Sequence, residues 1–202
     1  MAPKKLPLTC LILCGGKSHR MGRPKAFLPY NGTTMIEHIL QTAGEVFDEV
    51  LLVANDPEIF SDFGVDVVKD ILPYRGPLGG VLSGLLVAAN HHAFVLPCDV
   101  PFVASDLLKA MAASRKNSDV LVLSHHSQLE PLIAIYSKNC ITLLEEALFA
   151  GRPNVHDFVS GLNADTFDYD LLELQKLHGL PSYFNVDTPQ DYNLAIAGAS
   201  QV

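Results

Sequence analysis

The feature that most constrains this chain is a rhythm: short apolar, β-prone runs alternate with stretches of helical spacing. Residues 8–14 (LTCLILC), 49–54 (EVLLVA), 65–69 (VDVVK), 93–97 (AFVLP), 119–124 (DVLVLS) and 131–136 (PLIAIY) read as strands. HHSQLE connects the last two. Helices are predicted over 34–46, 57–63, 77–90, 104–115, 138–149 and 188–198. In the first, Met35, Ile39, Leu40, Ala43 and Val46 share a face, and Thr33 or Thr34 can cap it. Pro57 and Pro77 suit first helical turns. The stretch 151–185 is expected to add one or two short strands. Such alternation requires a mostly parallel sheet with helices on both faces, wound right-handed. The prediction is a doubly wound, three-layer α/β/α fold of Rossmann-like type. No linker or composition break interrupts it, so residues 1–202 are expected to form a single domain. With 49% hydrophobic and 18% charged residues, the chain can fill a core and is not of the disordered class.

In doubly wound sheets, ligands bind beyond the carboxyl ends of the strands. That rule selects loops 14–25, 55–57, 70–80 and 98–102. Charge points to the first of them. The net charge is −8, yet residues 1–36 hold no acid and carry Lys4, Lys5, Lys17, Arg20, Arg23 and Lys25. An acidic body disfavours nucleic acid, whereas a local basic cluster suits a small polyanion. No apolar run reaches membrane-spanning length, so no membrane partner is expected. Lys4-Lys5 before LPLTCLILC resembles a signal peptide only until Gly15-Gly16-Lys17, and no small-residue cleavage site follows. The four cysteines, Cys10, Cys14, Cys98 and Cys140, form no CxxC pair and read as buried thiols of a reducing cytoplasm.

The loop after the first strand runs Leu13-Cys14-Gly15-Gly16-Lys17-Ser18-His19-Arg20-Met21-Gly22-Arg23-Pro24-Lys25. Paired glycines permit close backbone approach, and their N–H groups can cradle phosphate oxygens. Arg can grip phosphate through two N–H groups, and Lys acts as a point charge. Gly16-Lys17-Ser18 ends like a P-loop, but Leu11 stands where that motif needs its first Gly. GxGxxG is absent as well. A phosphate-binding loop of another kind is expected.

The pattern L-x-G-G-x-S-x-R-M-G-x-x-K resembles the signature loop of the molybdenum cofactor guanylyltransferases, nucleotidyltransferases of the nucleotide-diphospho-sugar transferase fold. The resemblance continues through Asn55, Asp70, Gly76-Pro77-Leu78-Gly79-Gly80, Pro97-Cys98-Asp99-Val100-Pro101-Phe102, Glu130-Pro131-Leu132-Ile133-Ala134 and Asn185-Val186-Asp187-Thr188-Pro189. In order and spacing it covers essentially the whole chain. Cys14 departs from the family's usual Ala or Ser. Gly15-Gly16 resembles the guanylyltransferases more than their cytidylyltransferase relatives, which tend to have Ala-Ala-Gly.

The resemblance implies transfer of GMP from GTP to the terminal phosphate of molybdopterin or molybdenum-molybdopterin, with release of pyrophosphate. It implies Mg²⁺ as cofactor and molybdoenzyme apoproteins or other cofactor-pathway proteins as further partners. By the same resemblance, Lys25 is the catalytic cation near the α-phosphate and Arg20 clamps the β- or γ-phosphate. Leu13, Cys14, Gly15 and Gly16 hold the nucleotide, Asn55 and Asp70 contact GTP, and Leu78 and Gly79 lie against guanine. Asp99 closes the fourth strand, a position that suits a Mg²⁺ ligand or catalytic carboxylate. Asp187 either joins the metal site or caps the helix after it. Cytidylyl transfer on the same fold and a non-catalytic nucleotide-binding module remain the alternatives. His91-His92 and His125-His126 lack ligand-spaced partners and read as structural, as does the Cys98 thiol.

Overall fold

A computed structural model describes residues 4–15, 24–151, 154–171 and 180–199. Its strands are β1 (Leu6–Leu13), β2 (Pro29–Tyr30), β3 (Thr33–Thr34), β4 (Phe47–Ala54), β5 (Asp66–Lys69), β6 (His92–Pro97), β7 (Val120–His125), β8 (Gln128–Ser137) and β9 (Ala164–Asp168). The α-helices are α1 (Met35–Val46), α2 (Pro77–Val87), α3 (Ser105–Ser114), α4 (Ile141–Phe149), α5 (Val155–Ser160) and α6 (Pro189–Ala199). Pro57–Phe63 is a 3₁₀ helix. β2 and β3 form a small hairpin, and the other strands make one sheet in the order β5-β4-β1-β6-β8-β7-β9.

β1 sits in the middle, parallel to both β4 and β6. Its side chains are apolar in succession because both faces of the sheet are covered. Cys10 and Ile12 face a core shared with Ile36 and Ile39 of α1 and Leu107 and Leu108 of α3. Leu11 and Leu13 face the opposite core, with Leu78 and Leu82 of α2 and Leu144 of α4. Gly84 brings α2 close to the sheet: a Cβ there would stand 2.5 Å from Leu11 Cδ1. The three-layer reading of the sequence therefore holds.

The right half of the sheet is less regular than expected. β8 runs antiparallel to both β6 and β7. The HHSQLE connection is a tight turn, with positive φ at His126 and Ser127 and with Gln128 already paired to His125. The β7–β8 register then slips between Val122 and Leu123, so residues 131–133 bulge toward the rim. Among the described residues of 151–185 one strand, β9, appears as expected, and α5 is a helix that the periodicity does not announce. Asn154 starts α5 by accepting hydrogen bonds from the His156 and Asp157 N–H groups.

Candidate active site

The carboxyl ends of β1, β4 and β6, with the segment after β5, open onto a cavity of about 590 Å³. Because β8 is reversed, its amino end reaches the same rim. Asn55, Asp70, Asp99 and Glu130 all line the cavity, each from a different strand end. The loops selected from the sequence converge here.

At the centre is a cation between two carboxylates. Pro24 leads into a single 3₁₀ turn, Lys25–Phe27, whose last residue packs on Phe60. The Lys25 Nζ donates to Asp187 Oδ1 at 2.6 Å and lies 3.5 Å from Asp99 Oδ2. The Lys25 side chain is only 12% exposed. Burial opposes its charge, but the hydrogen bond to Asp187 and the fields of Asp99 and Asp187 prevail and hold its pKa above the ordinary lysine value. Asp99 is shifted upward: burial raises its pKa, Lys25 offsets this only in part, and Asp187 adds repulsion. The Val186 N–H donates to the Asp99 carbonyl, so the two segments are tied together.

Asp187 does not cap α6. The Asp191 N–H donates to Thr188 Oγ1, while Asp191 Oδ2 accepts from the Thr188 N–H, a reciprocal cap. The Asp187 carboxylate is thereby free to meet Lys25.

On one side of this centre, Gly15 follows β1, and a Cβ on it would lie 3.4 Å from Asn55 Nδ2. Among the described residues, Asn55 Oδ1 is buried without a partner, and so is Asn185 Oδ1. Both residues line the cavity. A buried, unpaired amide oxygen is costly, so these two mark places where a ligand's N–H, a cation or water belongs. Asp70 is differently placed: Oδ1 accepts from the Leu72 N–H and from Ser83 Oγ, and it thus braces the start of α2. Gly76 has φ 76°, a conformation suited to glycine, and turns the chain into Pro77 and α2. Gly76, Pro77 and Gly80 border the cavity. The Leu78 side chain is fully buried in the core, and Gly79 backs onto Asp70, where a Cβ would lie 3.2 Å from Oδ1.

Leu13 borders the cavity, and Cys14 hydrogen-bonds through its N–H to the Val53 carbonyl. Burial, then the neighbouring Cys98 and Asp99, push the Cys14 thiol well above its usual pKa, so it is a packing group. Gly16 and Arg20 lie outside the described residues. Sequence reasoning gives Glu130 no role, although the residue lines the cavity. The only hint is its place at the head of the Glu130-Pro131-Leu132-Ile133-Ala134 motif.

Among the described residues, no cluster of three or more His, Cys, Asp or Glu side chains could hold a metal by itself. Asp99 and Asp187 with the unpaired Asn185 oxygen are hard oxygen donors. Such a sparse set fits Mg²⁺, which takes one or two carboxylates and fills its shell with phosphate oxygens and water.

A fixed ammonium between two carboxylates at the rim of a doubly wound sheet can align and neutralise a polyphosphate, and comparison with known proteins makes the class a nucleotidyltransferase. The chain belongs to the MobA-like NTP transferase family, whose domain model matches residues 10–164. The probable molybdenum cofactor guanylyltransferase of Carboxydothermus hydrogenoformans is 34% identical over 185 residues, or 92% of this chain and 93% of that one. The corresponding protein of Pelotomaculum thermopropionicum is 36% identical over 187 residues, or 92% and 90%. The solved molybdopterin-guanine dinucleotide biosynthesis protein A of Archaeoglobus fulgidus has the same fold, with a TM-score of 0.81 at 23% identity over 96% of this chain and 100% of that one.

Proposed function

We propose that this nucleotidyltransferase transfers GMP from GTP to the terminal phosphate of molybdopterin, with Mg²⁺, to give a guanine dinucleotide and pyrophosphate. The observation that carries the reading is Lys25 held between Asp99 and Asp187 at the mouth of the strand ends. An oxygen of the acceptor phosphate bonds to the α-phosphorus, and the bond from that phosphorus to the pyrophosphate oxygen breaks. Such a reaction needs alignment and neutralised charge more than proton transfer.

Lys25 supplies a fixed cation at the α-phosphate. On this reading its ion pairs rearrange: phosphate oxygens take the ammonium, and Asp99 and Asp187 turn to the metal. Asp99 and Asp187 would hold Mg²⁺, which would supply Lewis-acid neutralisation of the phosphate charge beside them. The backbone from Leu13 to Gly16 cradles the nucleotide, and Arg20 grips the β- or γ-phosphate. Asn55 Oδ1 accepts from the guanine or ribose. Asp70 acts on guanine through the α2 entrance that it braces, where Gly76, Pro77 and Gly80 border the cavity and Leu78 and Gly79 would lie behind the base. The free cysteines Cys10, Cys14, Cys98 and Cys140 suit a reducing cytoplasm.

The test is pyrophosphate release on mixing the protein with molybdopterin, Mg²⁺ and each nucleoside triphosphate in turn. GTP is expected to support release and CTP to fail. Release with CTP alone would assign the chain to cytidylyl transfer, and no release with any nucleotide would leave a binding module.

A further inference from the structure

Four acidic residues line the cavity, and the carboxylates of three have occupations already described. Asp70 braces α2, and Asp99 and Asp187 share Lys25. Glu130 is the fourth. Its Oε1 lies 2.8 Å from His125 Nε2, and its side chain keeps 28% exposure. A carboxylate has about four acceptor positions, so one bond to a histidine leaves most of Glu130 available.

His125 is built to hold that carboxylate in place. Its ring stacks on Tyr183, with centroids 3.9 Å apart and planes at 12°. Tyr169 meets Tyr183 edge-on at 4.8 Å. The His125 side chain is 12% exposed, and Nδ1 is buried without a partner among the described residues. The ring is therefore fixed by stacking and by Glu130.

Position in the sheet says what the carboxylate can reach. Asp70 follows β5 and Glu130 opens β8, four strand spacings apart in the order β5-β4-β1-β6-β8. At about 4.8 Å per spacing, this is about 19 Å, far more than one nucleobase spans. Lys25 and Asp99 stand between them. Asn55 follows β4, three spacings or about 14 Å from β8, still more than one nucleobase spans, so a base held there leaves Glu130 to the second substrate.

An acidic group in a cavity that must admit phosphates is a liability unless it meets donors. In guanylyl transfer to molybdopterin, the reading on which this inference rests, the acceptor brings such donors. Its pterin ring carries a 2-amino-4-oxo-pyrimidine edge, with a ring N–H beside an exocyclic NH₂. A carboxylate matches that pair of donors. We propose that Glu130, positioned by His125, is the specificity-determining contact that reads the pterin edge of the acceptor.

The probes are the phosphate ester of 6-hydroxymethylpterin and its 2,4-dioxo (lumazine) analogue, which lacks the amino group. Binding of each is measured by fluorescence quenching without nucleotide. The wild-type protein is expected to prefer the pterin ester by about tenfold or more, because the dioxo analogue leaves the carboxylate facing an oxygen. Glu130→Gln keeps the shape and offers an amide N–H, so the preference should vanish or reverse. His125→Phe keeps the stack on Tyr183 and should weaken both probes without reversing their order. With molybdopterin, Glu130→Gln should raise the acceptor KM about tenfold while the KM for GTP stays within about twofold. Unchanged probe preference in Glu130→Gln, or a change in the KM for GTP instead, overturns the proposal. If the wild-type protein transfers GMP but shows no preference between the probes, Glu130 alone is misassigned. If it releases no pyrophosphate with any nucleotide, the reading beneath the proposal fails.

Discussion

At the residue scale, the site keeps an aspartate in a position that costs stability. Burial raises the Asp99 pKa more than Lys25 lowers it. As pH climbs from the ordinary aspartate value through the raised folded value, the unfolded chain loses this proton first, and folding stability falls. Asp99→Asn is therefore expected to raise the melting temperature of the metal-free protein at neutral pH, by about 1–3 °C. The same variant should lose Mg²⁺-dependent turnover; calorimetry and a pyrophosphate assay check the two halves. Lys25→Ala should lower kcat by about 10²–10³, the usual cost of removing a charge-stabilising group. Lys25, Asp99, Asp187 and Asn55 are reached from the sequence through short motifs that resemble those of the guanylyltransferases. Glu130 is not, because its place depends on a strand reversal and a bulge that its local sequence does not announce.

At the scale of elements, packing decides what each helix tolerates. Gly84→Ala would drive a Cβ into Leu11, a fully buried residue of the central strand. Overpacking of that kind should cost about 1–3 kcal/mol in urea unfolding. Gly44→Ala in α1 meets nothing within 4 Å and should instead gain about 0.5–1 kcal/mol. Strong periodicity makes α1 readable from the sequence, and its Thr34–Glu37 capping box agrees with the expected start. α5 escapes such reading because it is a single short helix whose only advance signal is Asn154. The β2–β3 hairpin escapes it too, although Asn31 and Gly32 both take positive φ, as such tight turns require. Direction is harder still. The apolar run 131–136 looks the same whether its strand runs with the sheet or against it.

At the scale of the molecule, the sheet gathers chemistry from distant positions onto one rim. Asn55, Asp70 and Gly15 stand on one side, Lys25 with Asp99 and Asp187 at the centre, and Glu130 on the other. The rule that ligands bind at the carboxyl ends of strands is enough to choose the loops in advance. It cannot show that reversed β8 adds its amino end to the same rim. Ligand linkage follows from the arrangement. GTP with Mg²⁺ at about 100 times Kd should stabilise the fold by about 2.7 kcal/mol. Chelation of the metal should remove most of that gain. With Asp99 as the proposed metal ligand, ionised when it binds, the gain should shrink as pH falls through the raised Asp99 pKa.

The most direct measurement is a crystal structure with Mg²⁺ and a GTP analogue whose α,β-bridging oxygen is replaced by methylene. The α-phosphate is expected beside Lys25 Nζ, the metal on Asp99, and the guanine between Asn55 and the start of α2. A triphosphate seated away from Lys25 and Asp99, or a metal that touches neither Asp99 nor Asp187, would contradict the account.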